Sequence, residues 1–184
     1  VRVTHQQASS MREPFWNAAR EGVRYVWNTQ SVRLLLFMSV LMELFGFSFH
    51  IMLPVMARDV LGVGASGLGF LSAAGGVGAV ASTLAVASLG DFKNKAGLLL
   101  ASALGAGLML VLFALSPWYV VSLVLVTGVG ALLMSYDVSM GTLLQLLPPN
   151  EVRGRVLGLY GLTFGFTPLG GFLVGLVGTA IGVP

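Results

Sequence analysis

The stretch that most constrains this chain is a long apolar run, residues 34–57, with the sequence LLLFMSVLMELFGFSFHIMLPVMA. Arg33 precedes the run, and Arg58 and Asp59 follow it. As an α-helix rising about 1.5 Å per residue, it reaches about 36 Å, which exceeds the roughly 30 Å hydrocarbon core of a bilayer. The run therefore predicts a transmembrane helix that crosses the bilayer with some tilt.

Four more apolar runs follow, at residues 68–89, 96–115, 118–147 and 156–177. Charged residues make up 9% of the chain, whereas a soluble domain carries about 25%. The predicted fold class is therefore an all-α polytopic membrane protein with five transmembrane helices. Residues 1–33 are predicted to form a linker with an amphipathic helix from Met11 onward, which lies either in the membrane interface or in water.

The basic residues predict the orientation of the helices. If five helices alternate in direction, all but one of the ten Lys and Arg residues fall on the side of the linker, and the exception is Arg58. Because cytoplasmic loops carry the excess of Lys and Arg, the linker is predicted to lie in the cytoplasm. The basic residues occur in short clusters between apolar runs, so the net charge of +3 does not indicate a nucleic-acid partner.

The sequence also lacks the residues that several kinds of chemistry need. It contains no cysteine and two histidines, His5 and His50, so neither thiol nucleophiles nor the common metal sites are expected. No catalytic triad, phosphate-binding loop or HExxH motif is found in it. We therefore predict a protein that is not an enzyme and that uses no cofactor or metal.

Two ionisable residues in the first run mark the candidate site. A charge at the bilayer centre costs about 2.5–3.5 kcal/mol on insertion scales. Glu43 is therefore expected either to couple protons at an aqueous cavity or to be protonated and bonded to a neighbouring helix. His50 follows seven positions later, about 20° away around an ideal helix, and is predicted to share the face of Glu43. It either relays protons or is a solvated residue near the outer boundary.

Further polar residues lie in the later runs and in the cytoplasmic loops. Asp137, in the fourth run, is expected either to line the same cavity or to join two helices by hydrogen bonds. Loop or gate contacts are predicted for Asp91, Lys93, Lys95, Gln145, Glu151, Arg153 and Arg155. For the last three, a helix-start charge and topogenic arginines are the simpler interpretation. The phenylalanines at 45, 47 and 49 either line an apolar pocket or face lipid.

Small residues predict where helices approach each other. Glycines at helical spacing let backbones pack closely in lipid. The predicted packing positions are Gly75 and Gly78 in the second run and Gly158, Gly161 and Gly165 in the fifth. Pro168 is expected to kink the fifth helix.

Three stretches carry a family resemblance: MREPFWNAAREGVRYVWNTQSVRLLL, LPVMARDVLGVGASGLGFLSAAGGVGA and LLQLLPPNEVRGRVLGLYGLTFGFTPLGG. They resemble the C-terminal half of a major facilitator superfamily transporter, in the branch of the enterobactin exporter and the transmembrane secretion effector permeases. The five runs would then be helices seven to eleven of twelve, without the N-terminal half and the last helix. Residues 90–95 stand at the family's loop signature, but Phe92 and Asn94 replace its arginine and glycine. The segment from Glu151 to Arg155 is more specific to the secretion-effector branch than the loop at residues 90–95 is.

The resemblance implies a secondary active transporter that works by alternating access in the bacterial inner membrane. We expect a proton-coupled exporter of small amphipathic molecules, of siderophore or drug type. Its partners would be the lipid bilayer, the small-molecule substrate and the N-terminal half of the same polypeptide, with the protein acting as a monomer. The alternative is a non-transporting membrane scaffold or assembly protein, whose polar residues only hold helices together.

Overall fold

The computed structural model describes residues 15–90 and 93–181, except for the side chains of residues 15–18 and 177–181. Within these residues the regular secondary structure is helical, without a β-strand. Five helical segments are long and apolar enough to cross a membrane. The predicted fold class is thus confirmed. Asp91, one of the predicted loop residues, lies outside the described residues.

The five spans are of two kinds, continuous and interrupted. The second, third and fourth spans are continuous helices, α4 (Gly64–Ser88), α5 (Lys95–Ala114) and α6 (Tyr119–Leu146). The first span contains α2 (Gln30–Leu41), a π-helical turn (Met42–Phe47), α3 (Phe49–Val55) and a second π-helical turn (Met56–Val60). The fifth contains α7 (Asn150–Thr163), a 3-10 turn (Phe164–Phe166) and α8 (Thr167–Ile181). The linker helix α1 (Phe15–Asn28) precedes them all.

Helix α6 lies at the centre of the bundle, because it packs along both α4 and α5. Its buried residues Val129 and Leu133 share one core with Leu71 of α4. Many large apolar side chains elsewhere are exposed, as Leu84 and Leu104 are at 67% and 76%. In a bilayer these side chains face hydrocarbon, so the protein core is confined to the contacts between helices.

The contact between α4 and α6 is a direct approach of two backbones. A Cβ atom added at Gly78 would lie 1.9 Å from the carbonyl oxygen of Thr127. One added at Gly130 would lie 2.1 Å from the carbonyl oxygen of Gly75. Apolar helices gain no hydrophobic free energy by associating in lipid, so close packing of this kind helps to hold them together. Gly75 and Gly78 both lie in this contact.

The linker helix α1 packs against α7, at the start of the fifth span. Val26 of α1 is buried in a second core with Val32 and Val156. A Cβ atom at Gly22 would lie 3.0 Å from the Cβ of Arg155. The apolar side of α1 is therefore held against the bundle.

The first span departs from α-helical geometry on both sides of α3. The earlier π-helical turn contains Gly46, where an added Cβ would lie 3.2 Å from Leu133. The later one follows Pro54, which lies inside α3. Proline has no N–H and its ring clashes with the carbonyl four residues earlier, so the regular hydrogen-bond ladder is disturbed there. A π-helical turn takes more residues than an α-helical turn and so changes the direction in which later side chains point.

The fifth span is interrupted just before Pro168. The 3-10 turn Phe164–Phe166 separates α7 from α8. The carbonyl with which the ring of Pro168 interferes is that of Phe164, four residues earlier. The 3-10 turn thus begins at the residue whose carbonyl Pro168 disturbs. Because the turn interrupts the α-helix, the side chains of α7 and α8 do not follow one continuous helical periodicity.

Candidate functional site

A cluster of polar side chains lies inside the bundle where the first, fourth and fifth spans meet. Glu43, in the earlier π-helical turn, is only 3% exposed. Its Oε2 accepts a hydrogen bond from the hydroxyl of Thr167, at the start of α8. This bond joins the middle of the first span to the interrupted part of the fifth.

A glycine lets α8 come close enough for that bond. A Cβ added at Gly170 would lie 2.1 Å from the carbonyl oxygen of Leu44. Leu44 follows Glu43 in the chain, and Gly170 lies one helical turn after Thr167. The backbone contact between Leu44 and Gly170 therefore sets the height at which the threonine hydroxyl meets the carboxylate.

A second acid joins the fourth span to the fifth. Asp137 of α6 is half-buried, and its Oδ1 accepts a hydrogen bond from the hydroxyl of Tyr160 in α7. One turn further along α7, the hydroxyl of Thr163 lies 2.8 Å from that of Ser39 in α2. Thr163 also donates to the carbonyl of Tyr160 at 2.7 Å, so Ser39 is the donor between the two hydroxyls.

Tyr136, next to Asp137 on α6, has a buried hydroxyl without a hydrogen-bond partner among the described residues. The side chain is 1% exposed. Its hydroxyl lies within electrostatic reach of both Asp137 and Glu43. A buried polar group of this kind is rare in folded proteins and calls for an explanation.

The cluster contains two carboxylates and hydroxyl groups, and none of its members carries a positive charge. Basic side chains among the described residues of α5 and α7 lie near the start of each helix, at Lys95, Arg153 and Arg155. Arg58, in the first span, pairs with the adjacent Asp59 at 2.6 Å. The buried Glu43 and the half-buried Asp137 are therefore held by hydroxyl donors.

His50 lies apart from this cluster. It is exposed and stacks on Phe49, with the ring centroids 4.1 Å apart. Glu43, by contrast, is buried, so the two side chains do not share an environment. Glu43 lies within the π-helical turn Met42–Phe47 and His50 lies beyond it, so the angular relation that an ideal helix would give is broken.

The comparison with known protein families covers the whole chain: residues 1–184 match the family described as transmembrane secretion effector. The chain belongs to the transmembrane secretion effector family. This confirms the resemblance to the major facilitator superfamily, and a multi-pass membrane transporter is the function that the family implies. Searches of curated proteins and of solved structures gave no match to this chain.

The predicted loop and gate residues of this transmembrane secretion effector family member lie at the ends of its spans. Lys93, Gln145 and Glu151 are exposed. Arg155 pairs with Glu21 of the linker helix. The Nε atom of Arg153 is buried, with no hydrogen-bond partner in the part of the chain that the structure describes.

Lys95 lines a cavity of about 250 Å³ between the second, third and fourth spans. Thr142 and Ser139 of α6 also line it. Whether any of these loop residues forms a gate stays a prediction.

The predicted glycine positions fall into two groups. Gly75 and Gly78 lie in the contact between α4 and α6, as described above. At Gly158, Gly161 and Gly165 an added Cβ would meet no described atom within 4 Å. The fifth span of this family member is therefore open along that face in the part of the chain described, and a packing role for its glycines stays a prediction.

An apolar groove lies between the first, third and fifth spans. Its volume is about 530 Å³, and it is lined by Phe45, Phe49, Leu110, Phe113 and Val174 among others. Two of the three phenylalanines singled out in the sequence thus line a groove, and Phe47 packs against the core. The groove contains little that would orient a polar ligand.

The hydroxyl partners of the two acids were not predicted from the sequence. The glycines of the fifth span of this transmembrane secretion effector family member indicated a packing helix instead. Tyr160, Thr163 and Thr167 are spaced three and four residues apart, which would place them on one face of an uninterrupted α-helix. Hydroxyl residues at that spacing in an apolar span were the available signal, because polar side chains in lipid seek partners on neighbouring helices.

Proposed function

We propose that this chain supplies one helical bundle of a proton-coupled exporter, which moves small amphipathic molecules across the bacterial cytoplasmic membrane by alternating access. One observation carries the proposal: Glu43 is 3% exposed at the middle of a membrane span and is held by a hydroxyl instead of a cation. A membrane-buried carboxylate without a counter-charge is costly when ionised. It therefore favours a bound proton unless water or substrate reaches it.

The proton would be exchanged when the environment of Glu43 changes during transport. The Thr167 hydroxyl can donate to an oxygen of Glu43 whether this side chain is protonated or ionised, so the hydrogen bond does not determine the charge of Glu43. When the bundle opens toward one side of the membrane, water reaches Glu43 and the free-energy cost of ionising it falls. When the bundle closes, the desolvated acid takes up a proton again. Alternation between these states links proton movement to the rocking of two bundles.

The interrupted fifth span supports this reading. Its two halves bond to different partners, α7 to Asp137 through Tyr160 and α8 to Glu43 through Thr167. Discontinuous helices at membrane depth commonly accompany binding sites in transporters. Asp137 and His50 are lesser candidates for the coupling role, because Asp137 is only half-buried and His50 is exposed. The positive-inside distribution of Lys and Arg supports a cytoplasmic position for the linker helix.

Replacing Glu43 by glutamine tests the proposal. In proteoliposomes containing the full-length protein, Glu43→Gln is expected to abolish efflux driven by a pH gradient and to leave substrate exchange without a gradient. The amide keeps an acceptor for Thr167, so the protein should still insert and fold. Asp59→Asn is the matched control, since Asp59 is exposed at the far end of the first span and pairs with Arg58. Undiminished gradient-driven efflux by Glu43→Gln would reject the coupling role.

A membrane scaffold is the second candidate, and one observation favours it. Each acid accepts a hydrogen bond from a neighbouring span, as expected of side chains that only hold helices together. This function predicts that Glu43→Gln lowers the free energy of unfolding, while the unmodified protein shows no flux of any amphipathic solute. Measured flux by the unmodified protein would exclude it.

A further inference from the structure

Resting on the proposed transport function, we infer that the transported molecule is an amphipathic organic cation, which binds at Asp137 and the aromatic rings of Tyr160 and Phe164. Glu43 and Asp137 then have different tasks. The buried Glu43 exchanges the proton, and the more accessible Asp137 contacts the substrate.

The surface beside Asp137 has the chemistry that recognises such a cation. Asp137 and Tyr160 are both half-buried and so reach the surface of the bundle. Phe164, one turn after Tyr160, is 48% exposed. The two rings lie 5.3 Å apart at 59° to each other. A carboxylate next to tilted aromatic rings binds a positive charge through both its own charge and the negative ring faces.

The charges around the site disfavour an anionic substrate. Asp137 supplies a carboxylate, Glu43 adds a second negative charge when it is ionised, and the described basic residues of α5 and α7 lie near the helix starts, away from the middle of the bundle. An anion would lose its hydration beside like charges, which costs several kcal/mol in a partly dry site. A cation would compensate the charge of Asp137. An acidic siderophore is therefore a poor substrate for this site.

The Tyr136 hydroxyl is an independent sign of a ligand at this place. It is buried at 1% exposure, lacks a hydrogen-bond partner among the described residues and lies within electrostatic reach of Asp137 and Glu43. When the bundle opens and exposes this hydroxyl, it can donate to an acceptor atom of a bound molecule, such as an ether or carbonyl oxygen. The inference therefore extends to a cation that carries a hydrogen-bond acceptor near its charge.

Two lipophilic ions of nearly the same shape and opposite charge test the inference. Binding of tetraphenylphosphonium and tetraphenylborate is measured on the full-length protein in nanodiscs, with empty nanodiscs subtracted for partitioning into lipid. We expect the cation to bind at least about tenfold more tightly than the anion, a difference of about 1.4 kcal/mol. Equal binding of the two ions, or preference for the anion, would overturn the inference.

Variants locate the binding surface. Asp137→Asn is expected to weaken cation binding about tenfold and to leave anion binding equal or stronger. Asp59→Asn is the matched control, because Asp59 pairs with Arg58 outside the cluster. Phe164→Leu keeps an apolar side chain and removes the ring, so it should weaken cation binding severalfold even if Asp137→Asn fails to fold. Unchanged cation binding in Phe164→Leu would show that the Phe164 ring does not take part in binding. Unchanged cation binding in a folded Asp137→Asn would overturn the assignment of the cation site to Asp137.

Transport separates this inference from the proposed function. If the protein binds tetraphenylphosphonium at Asp137 and does not move it under a pH gradient, the proposed function fails and the cation site stands. If a pH gradient drives export of tetraphenylborate and not of tetraphenylphosphonium, the function stands and the inference fails.

Discussion

Single hydroxyl groups hold the two acids of this protein in place. Thr167 bonds to Glu43, and Tyr160 bonds to Asp137. Each bond joins two spans, so each contributes to helix association as well as to the site. In a bilayer such bonds are worth about 0.6 kcal/mol on average and about 1.7 kcal/mol at most. The acids are therefore positioned by interactions weak enough to break during a conformational change.

Thr167→Val measures the contribution of the Thr167–Glu43 hydrogen bond to stability. Valine keeps the shape of threonine and cannot donate to Glu43, so we expect a loss of roughly 0.6–1.7 kcal/mol in the free energy of unfolding. Thr83→Val is the control, because the Thr83 hydroxyl bonds within its own helix to the carbonyl of Ala79. The measurement is unfolding in mixed micelles. Glu43→Leu removes the acceptor of this bond, so in the double variant the two losses should not add, and full additivity would show that the bond contributes nothing.

At the scale of helices, glycine determines which spans can approach. Helices α4 and α6 meet through Gly75, Gly78 and Gly130, where backbones touch without side chains between them. The first span and α8 meet at Gly170 in the same way. Without hydrophobic free energy to drive association in lipid, the fit of these surfaces decides which helices become neighbours.

Gly78→Ala should separate α4 from α6. The new methyl group would lie 1.9 Å from the Thr127 carbonyl, so a backbone must shift, and we expect a loss of about 1–3 kcal/mol in stability. Gly76→Ala on the same helix is the control, because nothing lies within 4 Å of its added Cβ. Thermal unfolding of the two purified variants compares them directly. Equal melting temperatures would contradict the close contact.

Gly170→Ala should act on the site through α8. The added Cβ would lie 2.1 Å from the Leu44 carbonyl, so α8 must move away and carry Thr167 from Glu43. We expect gradient-driven efflux to fall about tenfold or more, as a misplacement of about 1 Å can cost 100-fold in a reaction that depends on position. Gly175→Ala, with open space around its Cβ, should keep normal efflux. Normal efflux by Gly170→Ala would show that this approach does not matter for transport.

Over the whole molecule, the linker helix and the start of the fifth span lie at the same end of the bundle. Glu21 of α1 pairs with Arg155 of α7, and Gly22 lies against the same arginine. Four spans, an even number, lie between the end of α1 and the start of α7, so both are at the same end of the bundle. The bundle therefore presents one end rich in arginine and lysine, which the positive-inside rule predicts to be the cytoplasmic end.

Cysteine labelling can test this orientation, since the chain contains no native cysteine. Ser66 and Ser88 are both exposed and lie near opposite ends of α4. In intact cells, a membrane-impermeant maleimide should label Ser66→Cys and not Ser88→Cys. Both should be labelled after the cells are opened, which controls for reactivity. The reverse pattern in intact cells would invert the topology.

The number and class of the helices were determined by the sequence alone. A bilayer requires each crossing segment to satisfy its backbone hydrogen bonds internally and to be apolar over about 20 residues, so hydropathy and length predict the spans without knowledge of their partners. Glu43 could be recognised for the same reason: a carboxylate in an apolar run is conspicuous anywhere in lipid.

The partners of Glu43 were decided only by the tertiary structure. Thr167 lies 124 residues away in the chain, and which face of the fifth span it occupies depends on the 3-10 turn before it. Likewise, the π-helical turn that contains Glu43 changes its angle to His50, which an ideal helix would align with it. Hydropathy is a property of one segment. A contact between two helices depends on their relative rotation and height, and the irregular turns in the first and fifth spans change both.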